Sequence, residues 1–408
     1  MWIIVRLLIG IIILAVVEIY FIKRTDQAVK KLFPLFHQKK FAVIKKIFLG
    51  WVNLYPVVLI YVFVRFAITS EYVSTPESGW FDYLLVYPFW LLFILMLQTA
   101  LYFLLIDIIK LVLYPLFKRH KEKYLRYQAI AVLMLVIGFA VYIPIRVVYD
   151  YNTVSVRIVN YKKQNLPNAL ENFKIAFISD IQADHYTDKK RLDNYIGKVN
   201  SLQPDLVLIA GDFITTGPDY IDLSGKEMGT IKSKYGVYSC VGDHDNWAYR
   251  NDFKRSVAEV RSSLIKNNVL MIDNGKRIIN VNGAKIGITF VTNTYVEKVP
   301  GSILDSLSSN SSGDLKIFLT HQPRENLIEA AYKNHFDLYL AGHTHGGQIS
   351  LVFPFLQLTP TMIETKYIRG DFRFGNMLMI VTRGLGMSLA PVRYNSTPEI
   401  TLIVLSRK

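Results

Sequence analysis

Apolar positions fall along this chain in two different ways. In the first 150 residues they form long unbroken runs, at 2–22, about 49–68, about 84–109 and about 129–148. Each is close to the roughly 20 residues that a helix needs to cross a bilayer. From about residue 171 the runs shorten, and most end in glycine, aspartate or histidine. The segments 173–180, 205–212, 235–245, 285–294, 314–321, 336–343, 377–386 and 399–406 read as buried strands. Between them 189–202, 253–267 and 325–334 read as helices, and the serine cluster at 306–312 reads as a surface loop. Strands alternating with helices predict an α/β domain with a sheet covered on both faces. The chain therefore divides into a transmembrane domain of four helices (1–150), a linker (151–170) and an α/β domain (171–408).

Charge orients the first part. The 408 residues are 51% hydrophobic, with mean hydropathy +0.26 and net charge +15. Lys and Arg number 17 against 8 Asp and Glu through residue 150, and 30 against 24 afterwards, so the basic excess leans toward the apolar region. That predicts contact with membrane lipids rather than nucleic acid. The segment 23–46 holds eight Lys/Arg and one acid, 118–127 holds five Lys/Arg, and 69–82 has three acids and no base. By the positive-inside rule the two basic loops are cytoplasmic. The chain then reads as a multi-pass cell-membrane protein with an extracytoplasmic C-terminal domain. A signal peptide over 2–22 is the competing reading, but no small-residue cleavage site follows it. Apolar residues at helical spacing in 23–46 suggest an amphipathic helix on the inner leaflet. Glu18, Arg65 and Asp107 read as side chains snorkelling from span ends. The single cysteine, Cys240, excludes intrachain disulfides and Cys-rich zinc sites.

Five of the predicted strands end in a residue that can ligate a metal: Asp180; Asp212; Asp243-His244-Asp245; His321; and His343 with His345. Ligand sites of α/β sheets form beyond the carboxyl ends of strands. One strand-end Asp is commonly a helix cap, but five such ends in one domain are hard to assign to packing. Mixed oxygen and imidazole donors suit Mn, Fe or Zn. In AGHTHGGQI (341–349) both imidazoles reach one cluster only if the backbone turns, and the flanking glycines permit that.

The blocks SDIQ (179–182), GDF (211–213), GDHD (242–245), TH (320–321) and GHTH (342–345) resemble, in order, those of the calcineurin-like metallophosphoesterase superfamily. The resemblance covers roughly 173–405. GHTHGGQI and the tail 383–405 look like its membrane-anchored bacterial branch, the YkuE-type phosphohydrolases. It implies a β-sandwich flanked by helices, two divalent metal ions, and hydrolysis of a phosphate ester by metal-activated water. It also implies roles for individual residues. Asp180, Gln182, Asp212 and His345 would hold one ion. Asp212 would bridge to a second, held also by Asp243, His321 and His343. His244 would assist at the substrate, oriented by Asp245.

Two positions depart from the family pattern, which has His at 182 and Asn at 243. Gln182 is a weaker ligand and Asp243 adds charge, so the oxygen-richer set favours Mn. Asp184 or His185 is a possible substitute ligand. The leading expectation is a membrane-anchored phosphoesterase acting on a phosphorylated small-molecule or lipid-linked substrate. The alternatives are a catalytically weakened domain that binds a phosphorylated ligand or regulates a partner, and a channel or transporter with a regulatory head. Superfamily relatives cleave a nucleotide-sugar lipid pyrophosphate in the cytoplasm, and the predicted orientation argues against that substrate. Lys366, Tyr367, Arg369, Arg383, Arg393 and Tyr394 read as solvated surface.

Overall fold

The structure, a computed structural model, describes residues 2–69, 76–249, 251–309 and 311–408, without the side chains of 2–8, 66 and 67. Glu71 of the acidic loop lies outside the described residues. The chain forms two compact units. The first comprises Met1–Val148 with Leu351–Leu358, the second Tyr149–Ser350 with Thr359–Lys408.

The first unit is built from four long helices, α1 (Trp2–Leu32), α2 (Ala42–Thr69), α3 (Tyr87–Phe117) and α4 (Lys121–Asn152). Among the described residues two stretches, Pro34–Arg65 and Gly79–Asn152, are long and apolar enough to cross a membrane, and the second contains both α3 and α4. Leu14, Phe21, Val52, Met96, Phe103 and Val132 form the apolar centre. The inner-leaflet helix expected over 23–46 is not a separate element, because α1 continues to Leu32. It stops there because Pro34 disfavours a helical conformation at the preceding residue, and Phe33 leaves the helix at φ −135°, ψ 63°. The snorkelling expectation also fails for two residues. Asp107 pairs with Arg24 (2.9 Å) and accepts from Tyr20 Oη (2.7 Å), and Glu18 accepts from Asn53 Nδ2 (2.8 Å). These contacts join helices to one another.

The strands are β1 (Ser155–Lys163), β2 (Lys174–Ile178), β3 (Leu206–Ile209), β4 (Val237–Ser239), β5 (Val269–Met271), β6 (Gly275–Val281), β7 (Ala284–Val291), β8 (Leu315–Thr320), β9 (Leu338–Ala341), β10 (Leu351–Phe353), β11 (Leu356–Leu358), β12 (Gly370–Phe374), β13 (Met377–Val381) and β14 (Glu399–Arg407). The second unit holds two six-stranded sheets, ordered β1-β14-β2-β3-β4-β5 and β12-β13-β9-β8-β7-β6. The expected linker is therefore not a linker throughout, since β1 within it pairs in parallel along the whole of β14.

Side chains alternate across each strand, and in the central strands both faces are buried. In β2, Ile175 and Phe177 face the opposite sheet while Ala176 and Ile178 face helices α5 (Lys189–Ser201), α6 (Ile221–Met228) and α7 (Phe253–Lys266). In β8, Ile317 and Leu319 join the same inter-sheet core, while Phe318 faces α8 (Gly301–Ser309) and α9 (Glu325–Lys333). The result is a helix–sheet–sheet–helix sandwich rather than one covered sheet, as the family resemblance implies and the apolar pattern alone does not. Part of the expected serine loop is helical, since α8 reaches Ser309. Parallel register aligns Ile178 with Ile209 and Ile209 with Ser239. The segments leaving β2, β3 and β4 thus emerge together.

Candidate metal centre

The predicted ligands leave their strands through tight turns, and the ligands themselves carry the unusual backbone. Asp180 (φ 54°), Gln182 (φ 52°), Asp212 (φ 61°), His343 (φ 72°) and His345 (φ 48°) all adopt the left-handed conformation. It is uncommon for residues other than glycine, with Asp and His among the better tolerated. The 341–349 turn therefore rests on the histidines as well as on Gly346 and Gly347. Gly342 is needed for space, because a Cβ there would overlap the Ser179 side chain. Likewise a Cβ on Gly242 would overlap the backbone nitrogen and Oδ1 of Asp212.

These turns bring the donors into two groups, Asp180–Asp212–His321 and Asp243–His321–His343, with donor atoms in each within 4.8 Å of one another. His321 belongs to both. Its Nδ1 is 2.6 Å from Ala210 O, so that nitrogen carries the hydrogen. Its Nε2 lies 3.3 Å from Asp212 Oδ2 and 3.2 Å from Asp243 Oδ2, buried and without a hydrogen bond. An imidazole fixed by a carbonyl behind it, with a bare nitrogen between two carboxylates, has the form of a metal ligand with its supporting partner. Gln182 Oε1 is also buried without a hydrogen bond, while its Nε2 donates to Asp212 Oδ2 at 2.8 Å. His345 Nε2 is 3.6 Å from Asp180 Oδ1. Burial and the Arg393 charge hold this imidazole well below its ordinary range, and so neutral. Burial, mixed donors and two buried polar atoms without hydrogen-bond partners fit divalent cations.

Asp243 is well supplied with partners. Its Oδ1 accepts from Tyr295 N (2.6 Å) and Gln322 Nε2 (2.8 Å), and its Oδ2 is 2.7 Å from His343 Nδ1. Burial pushes this carboxyl up, but His321 and His343 outweigh it and hold it well below the usual range. The His343 imidazole is opposed by burial yet raised to about 9 by Asp243 and Glu364.

Two expectations about individual residues are corrected. Asp245 does not orient the His244 ring. Its carboxylate accepts from the backbone nitrogens of Asp212 (3.1 Å), Phe213 (2.7 Å) and Gly242 (2.8 Å), tying the β3 turn to the β4 turn. The ring is oriented by Thr215 O, 2.6 Å from Nδ1, which leaves Nε2 facing Ser388 Oγ at 3.0 Å. Asp184 is engaged in a local turn instead of the cluster. Its Oδ1 accepts from the amides of Tyr186 (2.8 Å) and Thr187 (2.7 Å), and Thr215 Oγ1 donates to its Oδ2 (2.7 Å).

Sequence reasoning missed a second layer. Glu364 Oε1 is 3.2 Å from His343 Nε2, accepts from Tyr295 Oη (2.6 Å) and pairs with Arg324. The surface reading is also wrong for Tyr367, Tyr394 and Arg393, which are buried. Arg393 donates to the carbonyls of Gly386, His345, Ser396 and Arg383. A lone charged residue within 384–398, a segment otherwise rich in glycine, proline and serine, was the available signal.

Comparison with known proteins agrees with this geometry. Residues 173–347 match the family described as calcineurin-like phosphoesterase. A Campylobacter jejuni metallophosphoesterase, Cj0846, is 27% identical over 348 residues, 83% of this chain and 84% of that protein. A match of that length must extend into the helical unit. Bacillus subtilis YkuE, a metallophosphoesterase, is 29% identical over 251 residues, 60% of this chain and 82% of that one. A zebrafish (Danio rerio) protein described as a transmembrane protein with metallophosphoesterase domain is 26% identical over 288 residues, 69% of this chain and 63% of its own. Residues 173–347 form a calcineurin-like phosphoesterase domain, and its metallophosphoesterase homologues support a phosphoric ester hydrolase.

Proposed function

We propose that the chain is a multi-pass membrane enzyme that hydrolyses a phosphate ester at a dinuclear centre. The observation that carries this is the pair of donor groups sharing His321, whose Nε2 is buried, bare and aimed between two carboxylates. Asp180, Gln182, Asp212 and His345 would hold one ion, and Asp243, His321 and His343 the other, with Asp212 between them. The oxygen-rich set favours Mn. Divalent ions at these residues would supply acidification of water and neutralisation of phosphate charge. The protein's own residues do the rest. Thr215 O fixes the His244 tautomer, so Nε2 is the atom that exchanges a proton with the leaving oxygen, and Ser388 holds it in place. Asp245 keeps the two ligand turns together through three amides. Glu364 holds the far side of His343 and anchors Arg324, a cation at hand for the substrate's charge.

Four spans with an extracytoplasmic enzyme domain is the topology this reading adopts. The pairing of Lys31, at the end of α1, with Glu122, at the start of α4, supports placing both basic loops on one side. A C-terminal alkaline phosphatase fusion then has full activity, and an inactive fusion of normal abundance would overturn that orientation. For activity the test is hydrolysis of bis(p-nitrophenyl) phosphate and p-nitrophenyl phosphate by the full chain with added Mn, and its loss in His244→Ala. Absence of turnover of either ester with Mn, Mg, Zn or Fe would refute the enzyme reading in favour of a ligand-binding domain.

A further inference from the structure

The hairpin Leu351–Leu358 has features that phosphate-ester chemistry does not require. Its sequence is LVFPFLQL, without a charge. It belongs to the helical unit, although it interrupts the metal-ligand loop. Five residues, 346–350, separate it from His345, and Thr359, directly after it, donates to Gly347 O at 3.2 Å.

One edge of the hairpin is completed by a helix side chain. Gln98, fully buried on α3, accepts from Val352 N (2.9 Å) and donates to Val352 O (2.6 Å). Tyr102, one turn further on, meets Phe353 edge-on at 5.7 Å. Gln98 stands near the middle of an apolar run of bilayer length. A polar amide there is costly unless partnered, and so is an open strand edge. Each supplies what the other lacks. The rest of the hairpin faces outward. Phe355, at the turn, is 105% exposed relative to a free side chain, and Leu356 is more than half exposed. Water is a poor solvent for such a tip, whereas hydrocarbon continuous with that around α3 would cover it.

We propose that Leu351–Leu358 inserts into the bilayer and tethers the metal-ligand loop there, so that the enzyme selects phosphate esters carried on lipids. The substrate half of this rests on the phosphoesterase reading above, whereas insertion does not. A water-soluble ester reaches the site without the hairpin. A lipid-borne ester is presented only at the membrane surface, where a short tether holds the loop.

The test uses the full chain in phosphatidylcholine nanodiscs. Phe355→Cys is labelled with an environment-sensitive NBD dye, which is selective because the sole native cysteine, Cys240, is buried. Insertion predicts blue-shifted emission quenched by doxyl-labelled lipids and not by aqueous iodide. Water-like emission quenched by iodide would overturn insertion. In parallel, turnover of phosphatidic acid and phosphatidylglycerol is compared with that of the two aryl phosphates. Phe355→Asp, which sets a charge in hydrocarbon, is expected to reduce lipid turnover about tenfold or more while aryl turnover is kept. Gln98→Leu, which strips the Val352 edge of its partner, is expected to lower the same ratio in protein that remains monodisperse. Equal losses on both substrate classes, no loss on either, or a wild type that cleaves aryl phosphates and neither lipid would overturn the selectivity. If wild type cleaves nothing, the phosphoesterase reading fails, and the dye still decides insertion.

Discussion

Replacing Arg393 by Met keeps the volume and removes every donor. In the structure the guanidinium is fully buried and reaches four carbonyls: Gly386 (3.0 Å from Nε), His345 (3.2 Å) and Ser396 (3.0 Å) from one terminal nitrogen, and Arg383 (3.0 Å) from the other. All four carbonyls lose this donor, and His345 O alone keeps a second side-chain partner, in Ser396 Oγ (2.7 Å). A buried polar group left unpaired costs about 1–3 kcal/mol. Against this, burial opposes the charge itself and lowers the guanidinium to about 10, so its removal relieves desolvation. The net expectation is a loss of about 3 kcal/mol, near the low end for breaking a buried charged network. For a domain of this size that is a fall of roughly 6–12 °C in the melting transition. The second consequence is local. Because Arg393 holds the His345 carbonyl, loosening it should weaken Mn binding at the Asp180–His345 side by about 10–100-fold, as loss of a ligand's support does. Melting is followed by near-UV circular dichroism of the full chain in detergent, and Mn binding by titration with electron paramagnetic resonance of the free ion. A melting shift under 2 °C with unchanged Mn affinity would refute the clamp.

Three further outcomes follow from the geometry. Gly242→Ala drives a methyl into the Asp212 nitrogen and Oδ1 and should abolish aryl phosphate turnover, while Gly283→Ala, facing open space on a surface turn at φ 92°, should leave kcat and KM unchanged. Burial opposes ionisation of Glu364, but His343, Tyr295 and Arg324 carry its pKa from 4.5 down to about 2. Its ionised form therefore stabilises the metal-free fold above pH about 4.5, and that contribution disappears as pH falls from 4.5 toward 2. Denaturant titrations of metal-free wild type and Glu364→Gln should converge across that window, and parallel curves would contradict the assignment. Asp245→Asn keeps at most one strong acceptor for three amides, so it should lower stability by about 1–3 kcal/mol, measured by the same melts, without changing the pH profile of turnover.

The strand ends were legible because of how the sandwich is built. Strands buried on both faces appear as continuous apolar runs, and each ligand stands just past such a run, as Asp180 stands past IAFI. The same property concealed the second sheet, since residues facing the other sheet and residues facing helices are equally apolar. Edge strand β1 resembles a linker in sequence because SVRIVNYKK mixes charge with apolar positions, and β5 is only three residues long. Seven ligand candidates could be named because Asp, Gln and His at strand ends carry their chemistry openly. The roles of their supports could not. Glu364 and Tyr295 come from segments outside the main strands and helices, where no period exists to read, and the backbone partners of Asp245, Asp184 and Arg393 leave no trace in sequence. Asp243 illustrates the limit: its extra charge looked like a disturbance, but Gln322 and the Tyr295 amide receive it.

The central claim is two metal ions at one cluster, and the direct measurement is the metal content of the full chain. After Mn loading and desalting, elemental analysis should give two ions per chain for wild type. His321→Ala, which removes a ligand of the Asp243–His343 ion, should lose at least one of them while keeping its circular dichroism. A wild type that retains no Mn, Fe or Zn above trace, or a His321→Ala protein that keeps both ions, would contradict the account.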